Sequence, residues 1–329
     1  MCPYSGSIFH GLLIIGLLFV QARPTFAGPH YDMAVRKLQN KNQKVQKEGE
    51  HEIVEIIKKE ILTKEILGHD PQFYSEHTFA FGHFISSETL DVAIGVSFPP
   101  YTGNLLLLTK KNGAYISFPP ITGIAFIRSL APLRLFKGPT EQLVLNLYGG
   151  GSGKQHWGKD IYQWDGTTMR LIWAWLDKDL TVGWKPTSRG TYPARLIKSD
   201  MRLRAAPDGA KAIITKTVVQ EGPVAENGKT LKAVITRREF ETIHYWDEGL
   251  FYYVSKYGEI TVPELNLTCR IGIPPISTSA RLQHNQKFGI LEIPGYHSPE
   301  DPAYHAIIAK ESFCEIPKSA AHPLPGQIR

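Results

Sequence analysis

The hydrophobic and polar positions along this 329-residue chain change period once, near residue 70. Before that point Ile53, Ile57 and Ile61, with Val54, Ile56 and Leu62 beside them, recur at the spacing of an amphipathic helix. Neither Pro nor an aromatic residue interrupts Met33 to Leu67. Glu55 with Lys59 and Glu60 with Lys64 are i, i+4 pairs, and Gly68 stands where a helix C-cap belongs. The pattern predicts a helix over about residues 50–67, preceded from Arg36 to Glu50 by a polar helix or a solvated linker.

From about residue 73 short apolar runs alternate with Gly, Pro, Asn and Asp. Leu90–Phe98, Asn104–Thr109, Ala114–Phe118, Leu143–Tyr148, Met169–Leu176, Lys211–Val219, Leu231–Thr236 and Leu250–Ser255 have the length and composition of strands. Asn112-Gly113, Asp165-Gly166, Asp208-Gly209 and Asn227-Gly228 suit type I′ turns, because these residues tolerate positive φ. After residue 68 no segment joins helix length to a 3.6-residue period. The expected class is therefore mainly β and antiparallel, with an N-terminal amphipathic helix.

The start of the chain bears on where it goes. Leu12 to Val20 is uncharged and apolar, too short to span a bilayer comfortably, and is followed by the small-residue exit Thr25-Phe26-Ala27. This is the core of a secretory signal cleaved after Ala27, although Met1 to Gly11 lacks the usual Lys or Arg. An uncleaved N-terminal anchor and a buried terminal element are the alternatives. The organisation expected is a signal peptide over 1–27, a helical segment over 28–68 and a β-rich domain over 69–329, exported to a periplasmic or extracellular space without an integral membrane span in the mature chain. Eight basic and seven acidic residues between 30 and 68 favour a helix packed on the body over one lying on a membrane.

Composition adds exclusions. With 42% hydrophobic and 21% charged residues the chain is neither disordered throughout nor a multi-span membrane protein. Taking Arg23 from the 37 basic residues leaves 36 against 31 acidic ones, a mature net charge of +5. Cys2 leaves with the signal, and the remaining Cys269 and Cys314 form a disulfide candidate, the alternative being two buried thiols. A bridge enclosing their 44 intervening residues would contribute about 3–4 kcal/mol in the chain-entropy model. Without a Cys-x-x-Cys, neither a thioredoxin-like centre nor a zinc ribbon is supported.

Two segments repeat one another: Ile161-Tyr162-Gln163-Trp164-Asp165-Gly166 and Ile243-His244-Tyr245-Trp246-Asp247-Glu248-Gly249, each followed by an apolar strand. With Phe81-Gly82-His83-Phe84 and Leu90-Asp91-Val92-Ala93-Ile94-Gly95, they resemble the FG-GAP/VCBS-type β-propeller repeat of secreted bacterial proteins, over about residues 73–255. The resemblance implies four-stranded blades, of which the roughly 260 residues of the β body would make five or six. Turns at 112, 165 and 247 stand 53 and 82 residues apart, so the propeller expected is irregular, and a two-sheet β-sandwich is the alternative. Such repeats often carry an Asp-rich calcium loop, but here only Glu88 precedes Asp91, too few oxygens for that ion. Its blades would be held by packing.

Motif by motif, catalytic chemistry is not supported. Tyr148-Gly149-Gly150-Gly151-Ser152-Gly153-Lys154 has Tyr at the first Gly of a phosphate loop and Gln155 at its hydroxyl position, so it reads as a surface hairpin loop. As a nucleophile elbow it fails at Lys154. His51-Glu52-Ile53-Val54-Glu55 lacks the second His of a zinc helix, and His284, His297 and His305 are surface histidines without constrained spacing. No catalytic, metal or cofactor site is assigned. Arg202, Arg204, Arg237 and Arg238 alternate with apolar residues as on the solvent face of strands, which with export argues against nucleic acid.

What remains is aromatic display. Trp157, Tyr162, Trp164, Trp173, Trp175, Trp184 and Tyr192 fall within 36 residues, and Trp173 and Trp175 share a face of one strand. Core packing accounts for most of them. The loop side, with His156, Trp157, Trp184 and Lys185, is the candidate face for a protein or glycan ligand. The function expected is an exported binding or interaction module. The alternative is a secreted hydrolase on a propeller scaffold with dispersed catalytic residues.

Overall fold

The computed structural model describes residues 26–27, 29–62, 75–98, 102–151, 153–183, 185–187, 190–207, 209–226, 228–248, 251–254, 256–262, 267–273, 303–307, 313–317 and 321–322. The chain is mainly β, its strands pairing antiparallel. Contacts divide it into two compact units: the first holds Leu18–Gly150 with Lys159–Arg170, the second Gly151–Gly158 with Leu171–Arg329.

The helices open the first unit. α1 (Pro29–Leu38) begins on Pro, which suits a first-turn position whose N–H has no partner in the helix. α2 (Gln43–Glu60) begins earlier than its apolar period predicts, because Asn42 caps it: the Lys44 amide donates to the Asn42 side chain at 2.9 Å. The expected Gly68 cap lies outside the described residues. Ile53, Val54 and Ile57 of α2 and Tyr31, Ala34, Val35 and Leu38 of α1 share one buried core with Val92, Ile94, Val96 and Phe98. Each fully buried Ile contributes roughly 1.5–3 kcal/mol of apolar transfer.

The helices meet at Gly49, where an added Cβ would lie 2.5 Å from the Leu38 amide nitrogen and 2.9 Å from the Ala34 carbonyl oxygen. Both obstacles are backbone. Gly49→Ala should therefore lower stability by about 1–3 kcal/mol, against the roughly 1 kcal/mol that Ala gains over Gly in an open helix. Chemical denaturation measures the difference, and an unchanged or higher midpoint would contradict the close approach.

The core's other wall is the first sheet. Phe26–Ala27 (β1), Glu76–Gly82 (β2), Asp91–Phe98 (β3), Thr102–Lys111 (β4) and Ala114–Ser117 (β5) run in the order β1-β5-β4-β3-β2, with β6 (Ile121–Ile124) also on β4. All of β3 is buried. Its even-numbered residues face the helices, and the Ser97 hydroxyl accepts from the Ile127 amide at 2.9 Å on the other side. Asn112 and Gly113, with φ of 52° and 87°, make the two-residue I′ turn between β4 and β5.

The second sheet is a meander in chain order from β7 (Phe126–Leu133) to β14 (Tyr252–Val254), through β8 (Gln142–Gly151), β9 (Lys154–Trp164), β10 (Met169–Val182), β11 (Pro193–Ala205), β12 (Lys211–Pro223) and β13 (Thr236–Asp247). A third sheet runs β18-β17-β16-β15-β19, formed by Lys256–Val262 (β15), Leu267–Ile273 (β16), Ala303–Ile307 (β17), Phe313–Pro317 (β18) and Ala321–His322 (β19). None of the three closes on itself among the described residues. The described strands thus form sheets of six, eight and five rather than successive sheets of four.

One expected strand is absent. Leu231 makes only an isolated bridge to Val224, and residues 232–235 fold back over Gly222, whose missing Cβ admits the Ala233 carbonyl. The Lys232 amide donates to the Pro223 carbonyl at 2.8 Å, and the Ile235 amide to that of Glu221 at the same distance. These bonds use the donors that a ladder would need.

Candidate functional site

The aromatic run that is dense in sequence divides between the units. Tyr162 and Trp164 fall in the first, where the Trp164 ring meets Phe118 edge-on at 4.7 Å. Trp157, Trp173, Trp175 and Tyr192 fall in the second. Period-two alternation puts Trp173 and Trp175 on one face of β10, stacked at 6.1 Å with their planes 13° apart. Both are buried, as core residues should be.

Their polar neighbour is His244 of β13. The Trp173 indole N–H donates to His244 Nδ1 at 3.4 Å, and the His244 ring lies 5.4 Å from that of Trp175. His244 is fully buried. Loss of solvent lowers its pKa to about 3, opposed only by the Ile213 carbonyl. A neutral imidazole held by an indole N–H anchors the core; with so low a pKa it makes a poor general base near neutral pH.

The inner face continues in polar groups. Asp179 is buried and accepts from the Thr181 hydroxyl at 3.2 Å, while the Ser199 and Thr217 hydroxyls, directly opposite on β11 and β12, meet at 2.9 Å. Arg195 pairs in register with Glu221, and burial lowers its pKa against the pull of Glu221 and Asp179.

The outer face is different. Trp157 is half-buried on β9, and the Lys178 ammonium sits 4.5 Å above its ring centroid, a cation–π contact. His156, expected beside Trp157 on a loop, precedes it on the strand β9 and so turns, half-buried, to the opposite face. Lys185 is exposed, and Trp184 lies outside the described residues. Of the four expected binding residues, Trp157 is thus the one whose geometry on this face is defined. Lys178, which sequence reasoning missed, completes it. Its signal was weak: one charge among the mixed residues of a long strand.

The glycine loop becomes the β8–β9 hairpin, with Gly153 at φ 85°. On the helix, Glu52 accepts from the Lys37 ammonium at 2.7 Å and His51 is exposed, as on a solvated face. His284 and His297 lie outside the described residues, and His305 is on β17. Cys269 stands on β16 and Cys314 on β18, with β17 between them in the sheet.

In the first unit the loop before β3 is closed by one carboxylate. Asp91 Oδ2 accepts from the amides of Phe84 and Ile85, both at 2.8 Å, and Oδ1 from the hydroxyls of Thr109 at 2.6 Å and Thr89 at 3.2 Å. Burial pushes its carboxyl up, while these bonds hold it down. Its oxygens are committed to the protein. Asp160, half-buried on β9, is pushed up to about 7 by desolvation alone.

No protein-family model matches the chain, and no curated protein does. Among solved structures, a GDP-Man-dependent mannosyltransferase, MPT-1 from Leishmania mexicana, is similar at 10% identity over 78% of this chain and 92% of that one, with a TM-score of 0.21. A likeness that low carries no argument about fold or activity. No helix among the described residues is long and apolar enough to cross a membrane.

Proposed function

We propose that the chain is an exported binding module whose second unit holds a ligand on the outer face of its sheet, around Trp157. The observation that carries this reading is the contrast between the aromatics of β9 and β10. Trp173 and Trp175 are sealed in the core with His244, while Trp157 lies half-buried on the surface beneath a lysine ammonium. A rigid indole on a long strand makes a large contact at small entropic cost. Two buried polar groups of the scaffold support a display role: Asp91 closes a loop, and burial keeps His244 neutral.

The scaffold supports two architectures. The β2–β5 meander, with Phe81-Gly82 ending one strand and Asp91 opening the next, has the size of a blade and supports kinship with FG-GAP/VCBS repeats. The uninterrupted second sheet supports a sandwich. Export rests on the apolar run Leu12–Val20; cleavage after Ala27 would remove β1, which pairs with β5.

The test is a binding screen of the full chain against a panel of glycans and secreted proteins, repeated with Trp157→Ala. Loss of a central aromatic should weaken the bound ligand about tenfold or more, and Lys110→Ala in the first unit should leave it unchanged. Equal binding by Trp157→Ala and the parent chain would overturn the reading.

A further inference from the structure

We infer that the ligand of this face is an acidic, extended polysaccharide. The inference rests on the binding reading above and adds the chemical class.

The register defines the face. Lys178 on β10 lies directly opposite Lys198 on β11, and from Lys198 the outward positions of β11 run through Asp200, Arg202 and Arg204. Across β12, Arg202 aligns with Ile214 and Ile243, and the Arg204 guanidinium donates to the Tyr245 hydroxyl at 3.4 Å. Four cations therefore line the β10–β11 side, with Trp157 at one end and Tyr245 at the other. Lys198 to Arg204 is about 20 Å of strand, and β9 to β13 about 19 Å of sheet. That is room for several sugar residues, not for one small molecule.

The other acids of this face lie on the β12–β13 side, around Lys216 and Arg237. Lys216 and Arg237 pair with Glu239, and Glu241 lies opposite Lys216 on the β12–β13 side. Asp200 is the one carboxylate within the strip itself, and its register partner is again Lys216. Lys198 and Arg202 make no ion pair among the described residues, and both are exposed. A row of four cations with the single carboxylate of Asp200 among them is net positive, complementary to a polymer bearing regularly spaced negative charges. At the two ends stand aromatic rings, the exposed Tyr245 and the half-buried Trp157 with its lysine ammonium, which suit the apolar faces and the acid groups of charged sugars.

The experiment uses the full chain and immobilised polygalacturonate, with neutral dextran and duplex DNA as competitors. The parent chain should bind polygalacturonate at low salt and release as salt rises, because the attraction is screened over about 10 Å at 0.1 M. Lys198→Glu with Arg202→Glu should weaken binding about tenfold or more, whereas Arg237→Gln, at a cation already paired, should change it less than about twofold. Equal retention of the double variant and the parent would overturn the inference, as would DNA displacing the chain more readily than free polygalacturonate. Binding to neutral dextran that depends on Trp157 would overturn the acidic ligand and leave the binding reading standing. Failure of both polymers to bind, with Trp157→Ala silent in the wider panel, would overturn the two together.

Discussion

Replacing Asp91 with alanine is expected to lower the stability of the first unit by about 3–5 kcal/mol, among the largest effects any single substitution should have in this chain. The carboxylate is fully buried and takes four donors, two of them the adjacent backbone amides of Phe84 and Ile85. Alanine leaves all four facing a void. A buried donor without an acceptor costs about 1–3 kcal/mol, and the loop cannot turn its amides to water without unpairing from β3. Asp91→Asn keeps the shape, with its carbonyl toward the two amides and its NH2 toward hydroxyls that can turn to accept, so about 1 kcal/mol should be lost with the charge. Glu88→Ala, on the exposed side of the same loop, should stay within about 0.5 kcal/mol of the parent. Urea denaturation measures these differences, and faster exchange of the Phe84 and Ile85 amides locates them. If Asp91→Ala unfolds at the parent's midpoint, the carboxylate does not close the loop.

His244 makes the second large contribution, and it depends on pH. The folded state holds the imidazole neutral down to about pH 3, while the unfolded chain takes up the proton below the ordinary value of 6.5. Between those values the unfolded state binds more protons. Stability from this group is therefore fully present above about 6.5, and is lost as pH falls, by about 1.4 kcal/mol for each pH unit. His244→Phe keeps a ring against Trp173 and Trp175 but has no proton to take up. The difference in stability between parent and variant should move against the parent on going from pH 6.5 to pH 4, and parallel curves would show that His244 is not held neutral. A constant offset from the lost Trp173 hydrogen bond leaves the slope untouched.

How far the sequence foretold these features depends on the range of the interaction. The α2 stripe of Ile53 and Ile57 and the Asn112-Gly113 turn are local, set by a period and by a tolerance for positive φ, and both stand in the structure. The helix nevertheless stops at Glu60, with Ile61 as its cap, rather than near residue 67. The start of α2 was less legible, because its first turns are polar and are held by the Asn42 cap and the Gly49 contact rather than by an apolar period. The strand expected over Leu231–Thr236 has strand composition, yet a close approach to Gly222 turns part of it into a loop. That contact joins residues 11 apart, outside the two-residue period from which a strand is read.

The candidate site divides in the same way. Alternation correctly placed Trp173 beside Trp175 and turned Arg202 and Arg204 outward, since a strand's two faces are read from every second residue. His244 could be seen only as one letter of the Ile243-His244-Tyr245-Trp246 repeat. Its link to Trp173 is a contact between strands 71 residues apart. Lys178 and Lys198 were equally hidden, because their alignment depends on the β10–β11 register, and register is not written in either strand alone.

The central claim is that ligand is held on the outer face of the second unit's sheet. Lysine acylation, read by mass spectrometry with and without polygalacturonate, tests it most directly, because each modified site reports its own accessibility. The account predicts that acylation slows at Lys178 and Lys198 and is unchanged at Lys110 and Lys111, which are exposed on β4 of the first unit. Protection confined to the first unit, or unchanged acylation at Lys178 and Lys198 while polymer is bound, would contradict it.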